Sequence, residues 1–359
     1  MASMKDVAHA AGVSIATVSH VLRGTKKVSA AVSERVRDAA LNLGYVPNLQ
    51  ASALRTGRTQ TLGVLLPDLS NPFFPALLQA LAPAARAAGL VLMVHEAEND
   101  ADLELMGLER LAASKVAGLI WVPVDVNAPH AAYSEQEHPA AGGLPSGLPV
   151  VTIDRPVAGT DAVVADHAQG GRLMAAHLKV LGHGRVAVLS GPANLPSSRG
   201  RKRGFLEELA PLLPVWECEA GFTAELPGEA RRLLGAGNYD AVACANDSLA
   251  IGVVRFLTQL GIRVPEDVSV IGFDDIPWAQ LMDPPLTTVR QPLAAMGTAA
   301  VRLLLERIDD PHRATRRVVM PVELVVRAST AEPATLLMAG SAGTPKPLDS
   351  DATKGRWEA

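Results

Sequence analysis

The sequence predicts an α/β protein in which a small all-α headpiece precedes two doubly wound α/β lobes. Three observations predict this fold class. Apolar residues repeat at three- and four-residue spacings over the first 45 residues, as helices require. From residue 61 onward, strand-like apolar runs alternate with helical patterns, which is typical of parallel sheets covered by helices. Hydrophobic residues make up 48% of the chain but aromatic residues only 4%, so the core is aliphatic, as parallel sheets favour.

Residues 4–23, MKDVAHAAGVSIATVSHVLR, predict two short helices joined by a tight turn at Gly12. Ser14 is a suitable N-cap for the second helix, and Ser29 is the predicted cap of a third helix that runs to Leu43 and ends at Gly44. The apolar face of the first two helices consists of Val7, Ala8, Ala11, Val18 and Val21. The apolar face of the third helix consists of Val32, Val36, Ala39, Ala40 and Leu43.

The outward face predicted for the second helix is polar or small and fits the DNA major groove. Its members are Ser14, Ile15, Ala16, Thr17, Ser19 and His20. The alternative is an ordinary helical hairpin whose exposed face binds nothing. Charge favours the first interpretation: residues 1–60 hold eight Lys and Arg against three acids, a formal charge of +5. Because the whole chain carries −4, the remainder carries −9. Positive charge concentrated on one small segment of an acidic protein is typical of nucleic-acid binders.

Two successive series of strand-like runs follow. The first comprises residues 61–67, 90–96, 116–123 and 148–154, with helical patterns near 74–88 and 102–114. The second comprises residues 162–166, 185–191, 215–221, 241–247 and 268–274, with helical patterns near 168–181, 199–210, 226–236 and 248–260. Each series predicts one doubly wound lobe. Ligands of such sheets bind beyond the carboxyl ends of the strands.

Several function classes find little support in the residues. Two cysteines, Cys218 and Cys244, make no disulfide framework and indicate a reducing compartment. We find no signal-peptide pattern and no apolar run of membrane-spanning length. Zinc, phosphate-loop and nucleophile-elbow motifs are absent from the sequence, and nothing supports convergence of Ser190, His183 and Asp166 into a triad. We therefore expect no catalytic residue, no metal site and no cofactor.

The segments MKDVAHAAGVS, ATVSHVLRG, VSAAVSERVRDAALNLGYVPN and ASALRTGRT resemble the headpiece of the LacI family of bacterial transcription repressors. The resemblance continues to about residue 328 and implies a core of the periplasmic-binding-protein type. The expected organisation is a helix-turn-helix domain (1–46), a hinge helix or linker (47–60), a two-lobed core (61–330) and a disordered tail (331–359). The first lobe is expected over about 61–155 and 288–318, and the second over about 156–287 and 319–330.

The resemblance also implies how DNA is bound. Ile15, Ala16 and His20 would read bases, and Ser14, Thr17 and Ser19 would lie near phosphates. In the hinge, Leu54 would wedge into the minor groove, with Ala51 beside it and Arg55 in the narrow groove. The alternative for this segment is a solvated linker with one exposed leucine. Because two hinge helices must meet at the operator centre, a homodimer on a pseudo-palindromic operator is expected. We expect no membrane partner and a cytoplasmic, nucleoid-associated location.

The ligand positions implied by the resemblance are Asn71, Phe73, Phe74, Asp154, Arg155, Arg201, Phe222, Asn246, Asp274 and Gln291. Three aromatic rings could enclose a sugar ring while the polar groups bind its hydroxyls, so ribose or a similar monosaccharide is expected. Asn246 could instead cap a helix, and Asp275 is interpreted as structural, capping the turn into Ile276. A purine or phosphosugar effector remains the alternative, although the resemblance implies a Trp at position 155 for purine sites. A sugar-binding receptor of the transport class is a further alternative. The effect of the ligand, induction or corepression, remains open, as does the role of the Pro- and Gly-rich residues 125–147.

Overall fold

The computed structural model of the protein describes residues 2–23, 26, 28–45, 59–128 and 147–333. The predicted hinge residues Ala51, Leu54 and Arg55 lie outside the described residues, as do most of the stretch 125–147 and most of the predicted tail. Among the described residues, every helix is too short or too polar to span a lipid bilayer.

The headpiece contains three helices: α1 (Met4–Ala11), α2 (Ile15–Arg23) and α3 (Ala30–Asn42). Helix α1 begins with a reciprocal capping box between Ser3 and Asp6, and it ends at Gly12, whose φ of 63° is the left-handed conformation that glycine adopts readily. The predicted cap of α2 is confirmed, because the Ser14 hydroxyl accepts the Thr17 amide at 3.1 Å. The predicted apolar face of α1 and α2 is also confirmed, since all five of its members are buried.

Ser29 is the N-cap residue of α3, as predicted, although its side chain makes no cap hydrogen bond. Two other details of the headpiece prediction are wrong. Leu43 lies beyond the last turn and is 40% exposed, so the buried face of α3 is shorter than its spacing indicated. Ser19 is 8% exposed and belongs to the inner side of α2, because the helix turns its side chain toward the packing interface instead of the outer face.

The first lobe is a six-stranded sheet in the order β11-β5-β4-β3-β1-β2. Its strands are β1 (Thr61–Leu66), β2 (Val91–Glu96), β3 (Gly118–Trp121), β4 (Val150–Ile153), β5 (Asp161–Ala165) and β11 (Arg317–Met320). Its helices are α4 (Phe73–Ala87), α5 (Ala101–Ala113) and α10 (Leu293–Asp309). All neighbouring strands in this sheet are parallel.

The second lobe is also six-stranded, in the order β12-β10-β9-β8-β6-β7. Its strands are β6 (Val186–Ser190), β7 (Trp216–Glu219), β8 (Ala241–Cys244), β9 (Ser269–Asp274), β10 (Thr287–Arg290) and β12 (Glu323–Val325). Its helices are α6 (His167–Val180), α7 (Pro196–Leu209), α8 (Gly228–Ala236) and α9 (Asp247–Gln259). Only the edge strand β12 runs antiparallel to its neighbour.

Aliphatic side chains fill both faces of each sheet, as continuous apolar strands require. Leu66, Ile120 and Leu81 lie in the cluster beneath α4 and α10, and the opposite face of that sheet is covered around Leu108 and Trp121. Two further clusters enclose the second sheet. The predicted alternation of strands and helices is therefore confirmed.

One strand assignment is wrong: residues 162–166 were expected to open the second lobe, but β5 pairs with β4 and β11 in the first sheet. Sheet membership depends on long-range hydrogen bonds, which the linear order of apolar runs does not reveal. The chain consequently passes between the lobes three times, after β5, β10 and β11. These passages place the start of α6 at the boundary between the lobes.

Candidate functional site

A small cavity lies where the carboxyl ends of the two sheets meet. Loops after β1 and β4 enclose it from the first lobe, and the loop after β7, the end of β9 and helix α7 enclose it from the second. Its lining residues are Asn71, Phe73, Phe74, Asp154, Arg155, Ser197, Arg201, Phe222 and Asp274. Eight of the ten predicted ligand residues therefore line one cavity, and Ser197 is a lining residue that sequence reasoning missed.

The two remaining predicted residues lie next to the cavity. Gln291 follows β10, and its amide donates to Asp274 Oδ1 at 2.8 Å. Asn246 follows β8 and caps α9, since its side-chain oxygen accepts the Leu249 amide at 2.9 Å. The capping interpretation of Asn246 is thus confirmed, while its buried Nδ2 has no partner among the described residues.

Two carboxylates from different lobes stand on strained backbone at the cavity. Asp154, after β4, has φ 65°, and Asp274, at the end of β9, has φ 116°. A non-glycine residue in either conformation costs on the order of 1–3 kcal/mol, and such residues occur mostly where the surroundings hold them for function.

Asp247, at the start of α9, supports the second of these strained turns. Its carboxylate accepts the Thr288 hydroxyl at 2.5 Å and the Ile276 amide at 2.9 Å. Asp275 is structural, as predicted, but the cap of the turn into Ile276 is Asp247. Asp275 instead accepts from Arg290 and Arg327, each at 2.6 Å, because the turn directs its carboxylate toward them.

Arg201 is the central cation of the site. It is 6% exposed, donates to the Ala245 carbonyl at 2.6 Å, and lies 3.1 Å from Asp274 Oδ1. Its guanidinium carbon stands 3.8 Å from the centre of the Phe273 ring, within the range of a cation–π contact. These partners hold the guanidinium group of Arg201 in place, and its remaining N–H groups can donate to a ligand.

Close helix packing brings Arg201 to this position. Helices α6 and α7 cross at glycines, and a Cβ added to Gly204 would lie 2.8 Å from the Ala168 Cα and closer to its carbonyl group. A Cβ on Gly171 would likewise lie 2.7 Å from the Phe205 amide nitrogen. The absence of both Cβ atoms allows α7 to carry Arg201 against the first turn of α6.

Arg155, the cation from the first lobe, has a mainly architectural set of partners. It donates to the carbonyls of Pro123 at 2.6 Å and Val124 at 3.3 Å, which anchors the segment after β3. Its Nε is buried and has no hydrogen-bond partner among the described residues. One donor of Arg155 is therefore available beside Asp154.

His167, the first residue of α6, is a second residue that sequence reasoning missed. Its Nε2 lies 3.0 Å from Asp154 Oδ1, and its Nδ1 accepts Arg201 Nε at 3.3 Å. The available sequence signal was its position two residues after the end of β5, since polar residues at strand ends approach the cleft.

The environment shifts the pKa values of Asp154 and Asp274 in opposite directions. Burial by itself would raise the pKa of Asp154, but His167, Arg201 and Arg155 outweigh burial and hold that pKa well below its usual range. Burial raises the pKa of Asp274 to about 6, although Arg201 and Gln291 oppose the shift. Two acids and two arginines leave the cavity formally balanced, an arrangement suited to an uncharged polar ligand.

A larger cleft of about 340 Å³ adjoins the cavity and opens toward solvent. Phe74 and Phe222 line both spaces, one from each lobe. Asn99 and Asn194 line the outer cleft from the first and second lobe respectively. The small cavity is therefore reached through a passage that both lobes enclose.

The Ser190, His183 and Asp166 triad is not assembled. Asp166 caps α6, and Ser190 points to the Cys218 carbonyl at 3.5 Å. His183 instead lies between Asp240 at 3.1 Å and Ser269 at 3.0 Å. His183 and Ser269 are buried, and the Ser269 hydroxyl donates to the carbonyl of Ala331 and accepts from its amide, so this group anchors the end of the described core. Among the described residues, no three His, Cys, Asp or Glu side chains are grouped to hold a metal.

In the headpiece, the outer side of α2 presents Ile15, which is 48% exposed, together with exposed Ala16 and partly exposed Thr17 and His20. The hydroxyl groups of Ser14 and Thr17 lie 2.9 Å apart at the start of the helix. Five of the six predicted headpiece contacts therefore lie on accessible surface, and buried Ser19 is the exception.

Comparison with known proteins decides the family. Residues 3–48 match the model of bacterial regulatory proteins of the lacI family, and residues 175–330 match a periplasmic binding protein-like domain. The chain is 33% identical over 337 residues to the HTH-type transcriptional repressor PurR of Aliivibrio salmonicida, covering 92% of this chain and 99% of that one. The chain belongs to the LacI family. It is therefore a DNA-binding transcription regulator with a ligand-binding core.

Other members of the LacI family give the same result. The HTH-type transcriptional regulator DegA of Bacillus subtilis is 33% identical, covering 91% of this chain and 97% of that one. The lac repressor dimer bound to operator and the anti-inducer ONPF superposes with a TM-score of 0.77 at 30% identity, covering 92% of this chain and 99% of that one. A LacI family regulator of Enterococcus faecalis with bound ribose superposes with a TM-score of 0.66 at 28% identity, covering 76% and 99%. The predicted family and fold class are confirmed.

Proposed function

We propose that this LacI-family protein represses transcription under the control of a neutral, hydroxyl-rich small molecule, ribose or a similar monosaccharide, bound between the lobes. The observation that carries this proposal is the convergence of two carboxylates, two guanidinium groups and three phenylalanines on one cavity. Carboxylates accept from pairs of hydroxyls, arginine donors bind hydroxyl oxygens, and aromatic faces pack on the C–H faces of a sugar ring.

Unpaired polar atoms support the same ligand class. Several of the buried side-chain atoms that have no hydrogen-bond partner among the described residues lie in or beside the cavity. They are Arg155 Nε, Ser197 Oγ, Ser198 Oγ, Asn246 Nδ2 and Gln291 Oε1, whereas Asp154 Oδ1 and His167 Nε2 lie 3.0 Å from each other. Leaving a buried polar group unpaired costs about 1–3 kcal/mol, so a ligand rich in donors and acceptors would be favoured over an apolar one.

The DNA-binding part of the proposal rests on α2 and the hinge. Ile15, Ala16 and His20 would read base edges, while Ser14 and Thr17 would lie near phosphates. The segment 47–60 would form the hinge helix, with Leu54 in the minor groove. Ligand binding would change the angle between the lobes by hinge motion, which separates the paired hinge helices of two subunits and releases operator.

A homodimer is part of the same proposal. The edge strand β2 exposes Val91 and Met93, and the segment after β9 exposes Trp278 and Leu281 at 55% and 76%. Exposed apolar edges associate unless they are covered, and a second copy would cover one surface on each lobe. The lac repressor that superposes on this chain is a dimer. The molecular mass of Leu281→Lys in sedimentation tests this assignment. A monomer supports it, and an unchanged dimer would show that the interface does not include Leu281.

The first experiment is a thermal-shift panel of pentoses, hexoses, nucleosides and purine bases on the full chain, followed by operator release with each binder. A ligand at about 100-fold its Kd stabilises the folded state by roughly 2.7 kcal/mol. Stabilisation by ribose or a related sugar together with operator release supports the proposal. Stabilisation by purines alone would contradict the sugar proposal and indicate a purine corepressor. Purines are included in the panel because the chain is similar to the purine repressor PurR.

A further inference from the structure

His167 occupies the point at which the chain passes from the first lobe to the second. It follows β5 of the first sheet directly after the cap residue Asp166, and it begins α6, which packs on α7 of the second lobe. It is 8% exposed, so its ring nitrogens must find partners inside the protein. The ring does not line the small cavity itself but lies behind Asp154 and Arg201, two residues that do.

The two ring nitrogens face partners from different lobes. Nδ1 lies 3.3 Å from Nε of Arg201, on the second lobe, and Nε2 lies 3.0 Å from Oδ1 of Asp154, on the first. Because a guanidinium can only donate, Nδ1 must be the acceptor, and the ring proton must reside on Nε2. The proton therefore faces the carboxylate. Burial lowers the pKa of His167 despite the neighbouring carboxylate, which supports the neutral ring.

Neighbouring groups hold the imidazole in this position. Its ring centre lies 6.0 Å from that of Phe273, the same ring on which the Arg201 guanidinium stacks. A Cβ on Gly200 would touch the His167 Cβ at 3.1 Å, so the glycine permits the close approach of α7. The imidazole is thus oriented by the second lobe while its Nε2 faces the first.

We propose that His167 is a positioning residue that couples the two lobes, carrying a neutral hydrogen-bonding link from Asp154 on one lobe to Arg201 on the other. When the lobes separate, Nε2 loses Asp154; when they close, Asp154 and Arg201 are brought to the same cavity in a fixed relative orientation. The inference deepens the proposed function, since it rests on these two residues binding the effector.

Two conservative variants separate the contact of His167 with Asp154 from its contact with Arg201. A glutamine amide nitrogen falls near the position of Nε2, so His167→Gln keeps a donor toward Asp154. An asparagine oxygen falls near the position of Nδ1, so His167→Asn keeps the acceptor for Arg201 and loses contact with the first lobe. His177→Gln is the matched control, because His177 lies on the same helix and bonds to Thr330 away from the cleft.

The first measurement is the ¹⁵N spectrum of the histidine side chains in the full chain without effector, assigned with His167→Gln. A neutral ring protonated on Nε2 at pH 7.5 is expected. A ring protonated on Nδ1, or on both nitrogens, would overturn the proposal, because neither form can accept from Arg201 and donate to Asp154.

The second measurement is the distance between spin labels on Asn99→Cys and Asn194→Cys, which line the outer cleft from opposite lobes. The native cysteines are both buried. Without effector, His167→Asn is expected to shift the distribution to longer distances, while His167→Gln and His177→Gln keep the parental distribution. Identical distributions in the two His167 variants would refute the coupling. Both measurements omit the effector, so failure of the sugar panel leaves their meaning unchanged.

Discussion

The crossing of α6 and α7 offers a test of how backbone packing positions the site. Gly204→Ala adds one methyl group where a Cβ would lie 2.7 Å from the Ala168 carbonyl carbon and 2.8 Å from its Cα. Both atoms belong to the backbone of the facing helix and cannot rotate away. Relief requires the helices to separate by about 1 Å, and overpacking of this kind costs typically about 1–3 kcal/mol.

The same displacement affects the cavity, because Arg201 lies one turn before Gly204 on α7. Its contacts with Ala245 at 2.6 Å and Asp274 at 3.1 Å would be lost if α7 moved by about 1 Å. Binding sites lose function when their supporting elements shift by about 1 Å. We therefore expect Gly204→Ala to weaken the response to effector while the separate headpiece still binds operator.

The assay is thermal unfolding of the full chain by calorimetry, with Gly235→Ala as the matched control. Gly235 lies within α8, is exposed, and would place its Cβ in open space. A free energy loss of about 1–3 kcal/mol lowers Tm by roughly 2–12 °C in a domain of this size. The control is expected to gain about 0.5–1 kcal/mol, since alanine is favoured over glycine inside helices. If both variants change Tm in the same direction, the steric reasoning is wrong.

Three further predictions concern the site and the hinge. Effector affinity is expected to decrease as pH falls below about 6, because burial raises the pKa of Asp274 to about 6 and ligand hydroxyls donate to its ionised form. Calorimetric titration at pH 5 and 8 tests this prediction, and Asp274→Asn should remove the dependence of affinity on pH. Arg201→Ala should abolish release of operator by effector while operator binding persists. Arg263→Ala, which removes an exposed ion pair, is the control. Release from the Arg201→Ala variant at wild-type effector concentrations would contradict this prediction. Leu54→Ala should weaken specific binding and leave nonspecific binding nearly unchanged in electrophoretic mobility shifts, and an equal loss on both DNAs would show that Leu54 is no wedge.

Much of the site was predictable from local sequence. The residues Asn71, Asp154 and Asp274 each follow or end a strand-like run, and parallel sheets bring such ends together. Eight of the ten expected ligand residues consequently line one cavity. The capping roles of Ser14 and Asn246 were equally local, since a cap and the amide it binds are separated by three residues.

Other features depended on contacts between distant segments. His167 looked like an ordinary start of a helix, and its role in the site arises from Asp154 and from Arg201, which is 34 residues away. Ser19 carries a polar side chain but is turned inward by the packing of three helices.

Local spacing in the sequence predicts the headpiece helices, the alternation of strands and helices, and the polar residues at strand ends, because each of these follows from residues a few positions apart. Contacts between distant segments determine which sheet receives β5 and how Arg201 is oriented. The reason is physical: strand pairing and buried ion pairs depend on distances across the folded chain, and a local pattern is compatible with several such arrangements.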